Sequence, residues 1–183
     1  MDEPRSGAEQ PTGMHDMLVR LYDVHDASSR VEALRADGIE VRRALAAEKH
    51  LIVAWVRQQF GDGWASECEV SFGRLPVSCF RAQRGPEVLG FACYDATAKA
   101  FFGPTGVLER ERKRGIGTAL LLVTLDAMRA EGYAYAIIGG VGPADFYRRA
   151  VGAVSIAGST PGIYAHLLRD DRASGRKRPK SRP

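Results

Sequence analysis

VLERERKRGIGTALLLVTLDAMRAEG, residues 107–132, is the stretch that decides the fold. It begins as the end of a strand candidate, KAFFGPTGVLE (99–109). Three consecutive basic residues follow, Arg112, Lys113 and Arg114, and then a Gly-x-Gly step at Gly115 and Gly117. From 115 to 132 the chain reads as a helix laid on a sheet, with Leu120, Leu121, Val123, Leu125 and Met128 apolar and Gly132 as its stop. The first N–H groups of a helix have no internal partner and lie at the positive end of its dipole. Glycine there lets a ligand approach the backbone with no Cβ in the way. Strand, basic residues, Gly-x-Gly and helix together make an anion site suited to a diphosphate. The plainer reading of the same letters is a basic turn with flexible glycines. The position between a strand and an apolar helix favours the phosphate site. Two better-known phosphate loops fail: no GK[ST] is present, and Leu120 stands where a dinucleotide fingerprint needs glycine or alanine.

Upstream, VSCFRAQ (77–83), EVLGFACYD (87–95) and 99–109 are strand candidates joined by hairpin-length turns, and so antiparallel. Gly103-Pro104 interrupts the third, because proline cannot donate to a ladder; a bulge or break is expected there. Before them come a strand at 17–24, a helix at 28–38, a strand at 39–44, and helices at 46–60 and 64–72. Downstream, YAYAIIGG (133–140) reads as a central strand and PADFYRRAVGA (143–153) as a helix opened by proline. Ala153–Ala157 and Ile163–Leu168 are the last strand candidates. The sum is a mixed α/β sheet.

Ordered this way, the chain resembles the GNAT superfamily of acetyl-CoA-dependent N-acetyltransferases. The matching residues are Val107, the run Arg112-Lys113-Arg114-Gly115-Ile116-Gly117 against the family's [QR]-x-x-G-x-[GA], the helix, the apolar strand 133–139, Phe146-Tyr147 and Gly152-Ala153. They lie in the right order across about residues 39–168. The resemblance implies a mostly antiparallel sheet flanked by helices and splayed between its fourth and fifth core strands. The pantetheine arm of acetyl-CoA would lie in the splay against the backbone of Val107 and Leu108. The diphosphate would rest on Arg112, Lys113, Arg114, Gly115, Ile116, Gly117 and Thr118. Tyr147 falls where family members often place the tyrosine that protonates the departing CoA thiolate. A phenol of pKa about 10 suits that late proton transfer. The plainer reading of Tyr147 is a core tyrosine whose hydroxyl finds a carbonyl. Three positions depart from the family pattern: Glu109 for a frequent proline, Gly140 for a frequent asparagine, and Gly152-Ala153 for Gly-Phe.

Transfer needs an amine stripped of its proton. Asp95, Glu109, Glu111, Asp145 and His166 are the candidate bases, with none singled out. Trp55, Trp64, Phe72, Phe101 and Phe102 are candidates for an acceptor pocket, with plain core the commoner role for each. The acceptor is a small-molecule or protein amine whose identity the letters do not carry. A non-catalytic acyl-CoA sensor with the same fold is the alternative.

At 183 residues the chain suits one domain. With 45% apolar and 26% charged residues it is neither collagen-like, coiled-coil nor wholly disordered. The expected division is a polar leader at 1–15, the transferase domain at 16–171, and a basic tail at 172–183. The net charge of +4 belongs to that tail, which holds six Lys or Arg and no acid; without it 20 basic residues face 22 acidic ones. A near-neutral body without an RNA-binding aromatic motif argues against a nucleic-acid partner. No run of 18 apolar residues exists and the start lacks a signal-peptide core, so no membrane partner and a cytoplasmic location are expected. A homodimer is compatible with all of this. Cys68, Cys79 and Cys93 are too few and too far apart in sequence for a zinc ribbon or finger, so they read as reduced, buried thiols and no metal is expected.

Overall fold

A computed structural model describes residues 15–168. The segment 107–132 does what its letters require. Strand β5 (Phe101–Val107) ends at Leu108, a 3₁₀ turn spans Glu109–Glu111, and helix α4 (Ile116–Ala130) follows. Gly115 caps the helix start at φ 85°, a left-handed conformation that glycine adopts without a Cβ penalty. At the other end the Gly132 amide bonds the Arg129 carbonyl and the Tyr133 amide bonds the Met128 carbonyl, the paired bonds of a Schellman stop.

Seven strands form one sheet. They are β1 (Met17–Arg20), β2 (Glu40–Arg43), β3 (Cys79–Arg84), β4 (Glu87–Tyr94), β5, β6 (Tyr135–Ile138) and β7 (Val154–Ser155), in the order β2-β3-β4-β5-β6-β1-β7. Every neighbouring pair is antiparallel except β5 and β6, which the α4 crossover makes parallel. The sheet is mixed and mostly antiparallel, as expected.

Helices cover both faces. On one face α4 packs with α1 (Ser28–Ala36) over Val19, Ala82, Leu89, Ala92 and Phe102, and Tyr147 of α5 (Ala144–Val151) joins the same cluster. On the other, α2 (Lys49–Phe60) and α3 (Asp62–Val70) enclose Cys79, Phe91 and Cys93. Strand β4 lies between the layers, which is why its last six residues are all buried.

Some expectations shift. The strand expected over 17–24 stops at Arg20, and Leu21–Asp23 turns as a 3₁₀ helix. No strand forms over Ile163–Leu168. Pro161-Gly162 opens a 3₁₀ turn at Gly162–Tyr164 instead, and the residues after it are exposed, with no strand partner. Of the expected leader only His15 is described; it is buried and its carbonyl accepts from the Val141 N–H at 2.9 Å. The basic tail at 172–183 lies outside the described residues.

Candidate active site

The site begins with an extra residue in β5. Tyr94 stands opposite Phe102 and Ala92 opposite Thr105, so two steps on β4 match three on β5. The surplus is the Gly103-Pro104 pair, with Gly103 at φ 124°. This is the bulge that the proline demanded. Beside it, β5 and β6 pair only at Phe101–Ile137 and Phe102–Ile138. Beyond that point the two strands part, and Gly103 to Val107 has no strand partner on its second edge among the described residues. The sheet is splayed where the sequence resemblance places the splay.

Ladder alternation decides which backbone groups face the opening. The Leu108 N–H bonds the Leu89 carbonyl at 2.9 Å, and the Leu108 carbonyl accepts from Glu111 N–H at 2.9 Å. Leu108, buried, thus commits its amide to β4 and its carbonyl to the 3₁₀ turn. Val107, one residue earlier, turns its amide and carbonyl the other way, into the opening. Its carbonyl meets Arg112 Nε at 3.4 Å, a long contact from an exposed side chain. Just past the opening lies the start of α4. The first helical bond in this turn is Ala119 N–H to the Gly115 carbonyl, so the amides of Ile116, Gly117 and Thr118 precede the ladder. A Cβ on Gly117 would lie 3.7 Å from Val107 and 4.0 Å from Phe146, so the turn, the strand end and α5 converge there.

The basic residues are unequal. Glu111, buried, takes both terminal nitrogens of Arg84 at 3.2 Å and lies 3.5 Å from Arg114. The Arg84 guanidinium, more than burial opposes it, holds the Glu111 carboxyl below its ordinary value. Arg114 is thus partly spoken for, whereas Arg112 and Lys113 are exposed beside the helix end. Lys113 has φ 66°, so the backbone there turns left-handed just ahead of the helix cap.

Tyr147 sits at the point where the strands part. Its ring lies 6.3 Å from that of Phe102 and 4.9 Å from that of Phe146, both edge-on. Only 6% of it is exposed, and burial pushes its phenol up to about 12. Its hydroxyl has no hydrogen-bond partner among the described residues, so the carbonyl of the plainer reading is missing.

On the α2/α3 face of the same point stands a group the sequence reading missed. A Cβ on Gly139 would come within 2.2 Å of the Tyr164 hydroxyl and 2.8 Å of the Phe101 ring. Tyr164 therefore lies across the end of β6, where Ile138 makes the last pairing with β5. Burial, with the charges of Glu67 and Asp16 behind it, raises the Tyr164 phenol to about 12. Glu67 on α3 accepts from the Thr97 hydroxyl at 2.5 Å, and Asp16 accepts from the Gly140 N–H at 2.9 Å. Gly140 has φ 54°, a left-handed conformation that glycine and asparagine adopt most readily. Phe60 presses on β5 from this face too: a Cβ on Gly106 would meet its ring at 2.5 Å. Trp64 stacks on Phe60 at 5.2 Å and is 39% exposed; Trp55 and Phe72 pack into the core instead.

The five expected bases lie elsewhere. Asp95 is buried among Arg74, Lys99, the Tyr133 hydroxyl and the Ala100 N–H. Glu111 is held by Arg84, Asp145 pairs with Arg148 at 2.7 Å, and Glu109 and His166 are exposed. Turn chemistry was the available signal for Tyr164, since Thr160-Pro161-Gly162 marks a turn rather than a strand. Nothing local marks Glu67, which reaches the site only through the packing of α3.

Comparison with known proteins agrees with this geometry. The family model described as "Acetyltransferase (GNAT) family" matches residues 46–152. Comparison with curated proteins finds no match. Among solved structures, a glucosamine N-acetyltransferase region of a fungal multi-domain β-N-acetylglucosaminidase is similar, with 17% identity and a TM-score of 0.62 over 78% of this chain and 19% of that one. A GCN5-related N-acetyltransferase from Sphaerobacter thermophilus gives 20% identity and 0.57 over 79% of this chain and 49% of that one. One from Kribbella flavida gives 18% and 0.54 over 79% and 55%. The chain thus spans between about a fifth and about half of these proteins, and at such identities they speak for the fold alone. Helix α4, its glycine turn and the parted strands all fall within the matched residues, and the chain belongs to the GNAT acetyltransferase family.

Proposed function

We propose that the protein is an N-acetyltransferase that takes the acetyl group of acetyl-CoA and passes it directly to an amine. The observation that carries this reading is the opening between β5 and β6 beyond Phe102 and Ile138, which leads straight to the unpaired amides of α4. It is a slot lined by backbone on one side and ending in a positive helix terminus, the shape and polarity of a pantetheine arm joined to a diphosphate. Val107 would bond the arm. Ile116, Gly117 and Thr118 would supply amides, and Arg112 and Lys113 charge, to the diphosphate. Arg112 would leave the Val107 carbonyl to do so, a small cost for a 3.4 Å contact.

The acetyl group would then reach the parting point, with Tyr147 beside it on one face and Gly139, Tyr164 and Phe101 on the other. A phenol raised to about 12 keeps its proton throughout the neutral range, so Tyr147 meets the leaving thiolate as a donor. The amine would approach from the α2/α3 face. Glu67 and Asp16 make that approach electronegative, which favours an acceptor that arrives as an ammonium ion and gives its proton to solvent before the free amine attacks. No covalent intermediate is required.

The test has two stages. Thermal shift with CoA, acetyl-CoA and NAD asks about the donor: a native-state ligand at a hundredfold excess over Kd adds roughly 2.7 kcal/mol. Both CoA species should raise the melting temperature and NAD should not. No shift with millimolar CoA or acetyl-CoA overturns the reading. Thiol release from acetyl-CoA across a panel of amines asks about transfer. A chain that binds acetyl-CoA and never turns it over is a sensor instead.

A further inference from the structure

Behind the aromatic residues of the α2/α3 face, the three cysteines meet. Cys68 comes from α3, Cys79 opens β3, and Cys93 lies directly across from Cys79 on β4. Their sulfur atoms all lie within 4.8 Å of one another, and all three residues are fully buried. None is in a disulfide. The walls are Ile52, Val56, Ala65, Val77 and Phe91. Folding has thus gathered thiols that stand 11 and 14 positions apart in the sequence, with no close C-x₂₋₄-C pair of the kind a zinc ribbon or finger uses.

We infer that Cys68, Cys79 and Cys93 form a three-sulfur site for a soft, three-coordinate metal ion, monovalent copper. A triangle of sulfurs around a metal at about 2.3 Å has edges of about 4 Å, so the thiols need close in by less than about 1 Å. The donor set selects the ion. Thiolates favour Cu(I) and zinc among biological metals. Structural zinc requires four ligands. Among the described residues no histidine, carboxylate or further cysteine joins the three sulfurs. Two oxygens stand 3.6 Å from the sulfurs, the Ser71 hydroxyl from Cys93 and the Phe80 carbonyl from Cys79; each accepts from a thiol, and the Ser71 hydroxyl donates to the Cys68 carbonyl at 2.6 Å. A trigonal ion is complete with what is present; a tetrahedral one is not. Each ligating thiol gives its proton to solvent as the ion enters, because the thiolate is the ligand, so capture weakens as pH falls.

The experiment uses the reduced full-length chain under anaerobic conditions, titrated with Cu(I) held by bicinchoninate. About one copper per chain should leave the chelator, and the melting temperature should rise with it. Cys68→Ala, Cys79→Ala and Cys93→Ala should each weaken capture at least roughly tenfold, as loss of one ligand of three does. Circular dichroism checks that each variant is folded. Cys68→Ala, on the helix rather than in the sheet, is decisive if the strand variants do not fold. Three results overturn the inference. They are no copper transferred to the folded chain, capture undiminished in Cys68→Ala, which would place the copper elsewhere, and capture of zinc from a chromophoric chelator with the same cysteine dependence. The outcome is independent of whether the chain transfers acetyl groups.

Discussion

The two faces of the sheet are built to different rules. On the α4 face the packing is aliphatic and closed: Leu120, Leu121, Leu125 and Met128 of α4 are all buried against Val19, Leu89 and Ala92. That face holds the start of α4 rigidly beside the end of β5, where the proposed donor would bind. On the α2/α3 face the packing is aromatic and partly open: Phe60, Trp64 and Phe91 touch one another, Trp64 is exposed at 39%, and Tyr164 closes the end of β6 from a 3₁₀ turn. A donor with a fixed shape calls for a fixed seat. An acceptor surface made of a short helix, a turn and large rings is easier to vary without disturbing the core.

If that division holds, the largest effect should come from the one side chain at the boundary that has nothing else to do. Tyr147→Phe keeps the ring beside Phe102 and Phe146 and removes an oxygen that no described residue binds. Loss of a general acid typically costs about 10²–10⁴ in rate. We expect kcat to fall by that factor, with acetyl-CoA binding within a few-fold and the melting temperature unchanged. A purely structural tyrosine gives the reverse: a lower melting temperature with kcat within threefold of the parent.

Next in size is a break in the rigid face. Leu120→Ala empties a fully buried position that touches the backbone of Gly90, and should cost about 2–5 kcal/mol in urea denaturation. Trp64→Ala on the open face should cost less and raise the KM for the amine instead. Equal losses from both would mean that the two faces do not differ in kind.

The buried tyrosines supply a pH test. Burial raises Tyr147 and Tyr164 from an ordinary value of 10 to about 12 in the folded chain. Their contribution is fully present below pH 10 and is lost as pH climbs towards 12, because only the unfolded chain ionises freely in that window. Stability measured by urea should fall steeply from pH 10 to 12. Tyr147→Phe and Tyr164→Phe should each flatten the fall, by similar amounts, since both phenols are raised to about 12. An equal slope in Tyr147→Phe would place the titrating group elsewhere.

What the sequence revealed and what it hid follow the same division. Helix α4, its glycine turn and the bulge at Gly103-Pro104 are local: apolar spacing, a missing N–H and a missing Cβ each act within a few residues, so the backbone of the proposed donor seat was legible from letters. The opening of the sheet needed only the parallel crossover and the bulge. Tyr164 and Glu67 reach the site through the packing of a turn and of α3 against a strand some 25 and 72 positions away in sequence, and no periodicity encodes that. Ile163–Leu168 has strand-like letters, yet Pro161-Gly162 sets the backbone before those letters can act. Alternation along β5 fixes that one of Val107 and Leu108 turns its backbone groups to the opening, and only the observed register says that it is Val107.

The smallest expected effect is a matched pair of methyl groups, one on each side of the parting strands. Gly117→Ala adds a Cβ 3.7 Å from Val107 and 4.0 Å from Phe146, which is ordinary contact. Inside α4 it also removes the backbone entropy penalty of glycine, so stability should hold or rise by up to about 1 kcal/mol. Gly139→Ala adds the same atom within 2.2 Å of the Tyr164 hydroxyl and 2.8 Å of the Phe101 ring. Tyr164 can swing aside, but the Phe101 ring must shift as well, so the loss should be about 1–3 kcal/mol. In acetyl-transfer assays Gly117→Ala should shift the apparent affinity for acetyl-CoA and leave the amine KM alone. Gly139→Ala should do the opposite, because it moves Tyr164 without touching the turn at Gly115. If both substitutions moved both constants together, donor and acceptor would share one surface, and the assignment of each to its own face of the sheet would fall.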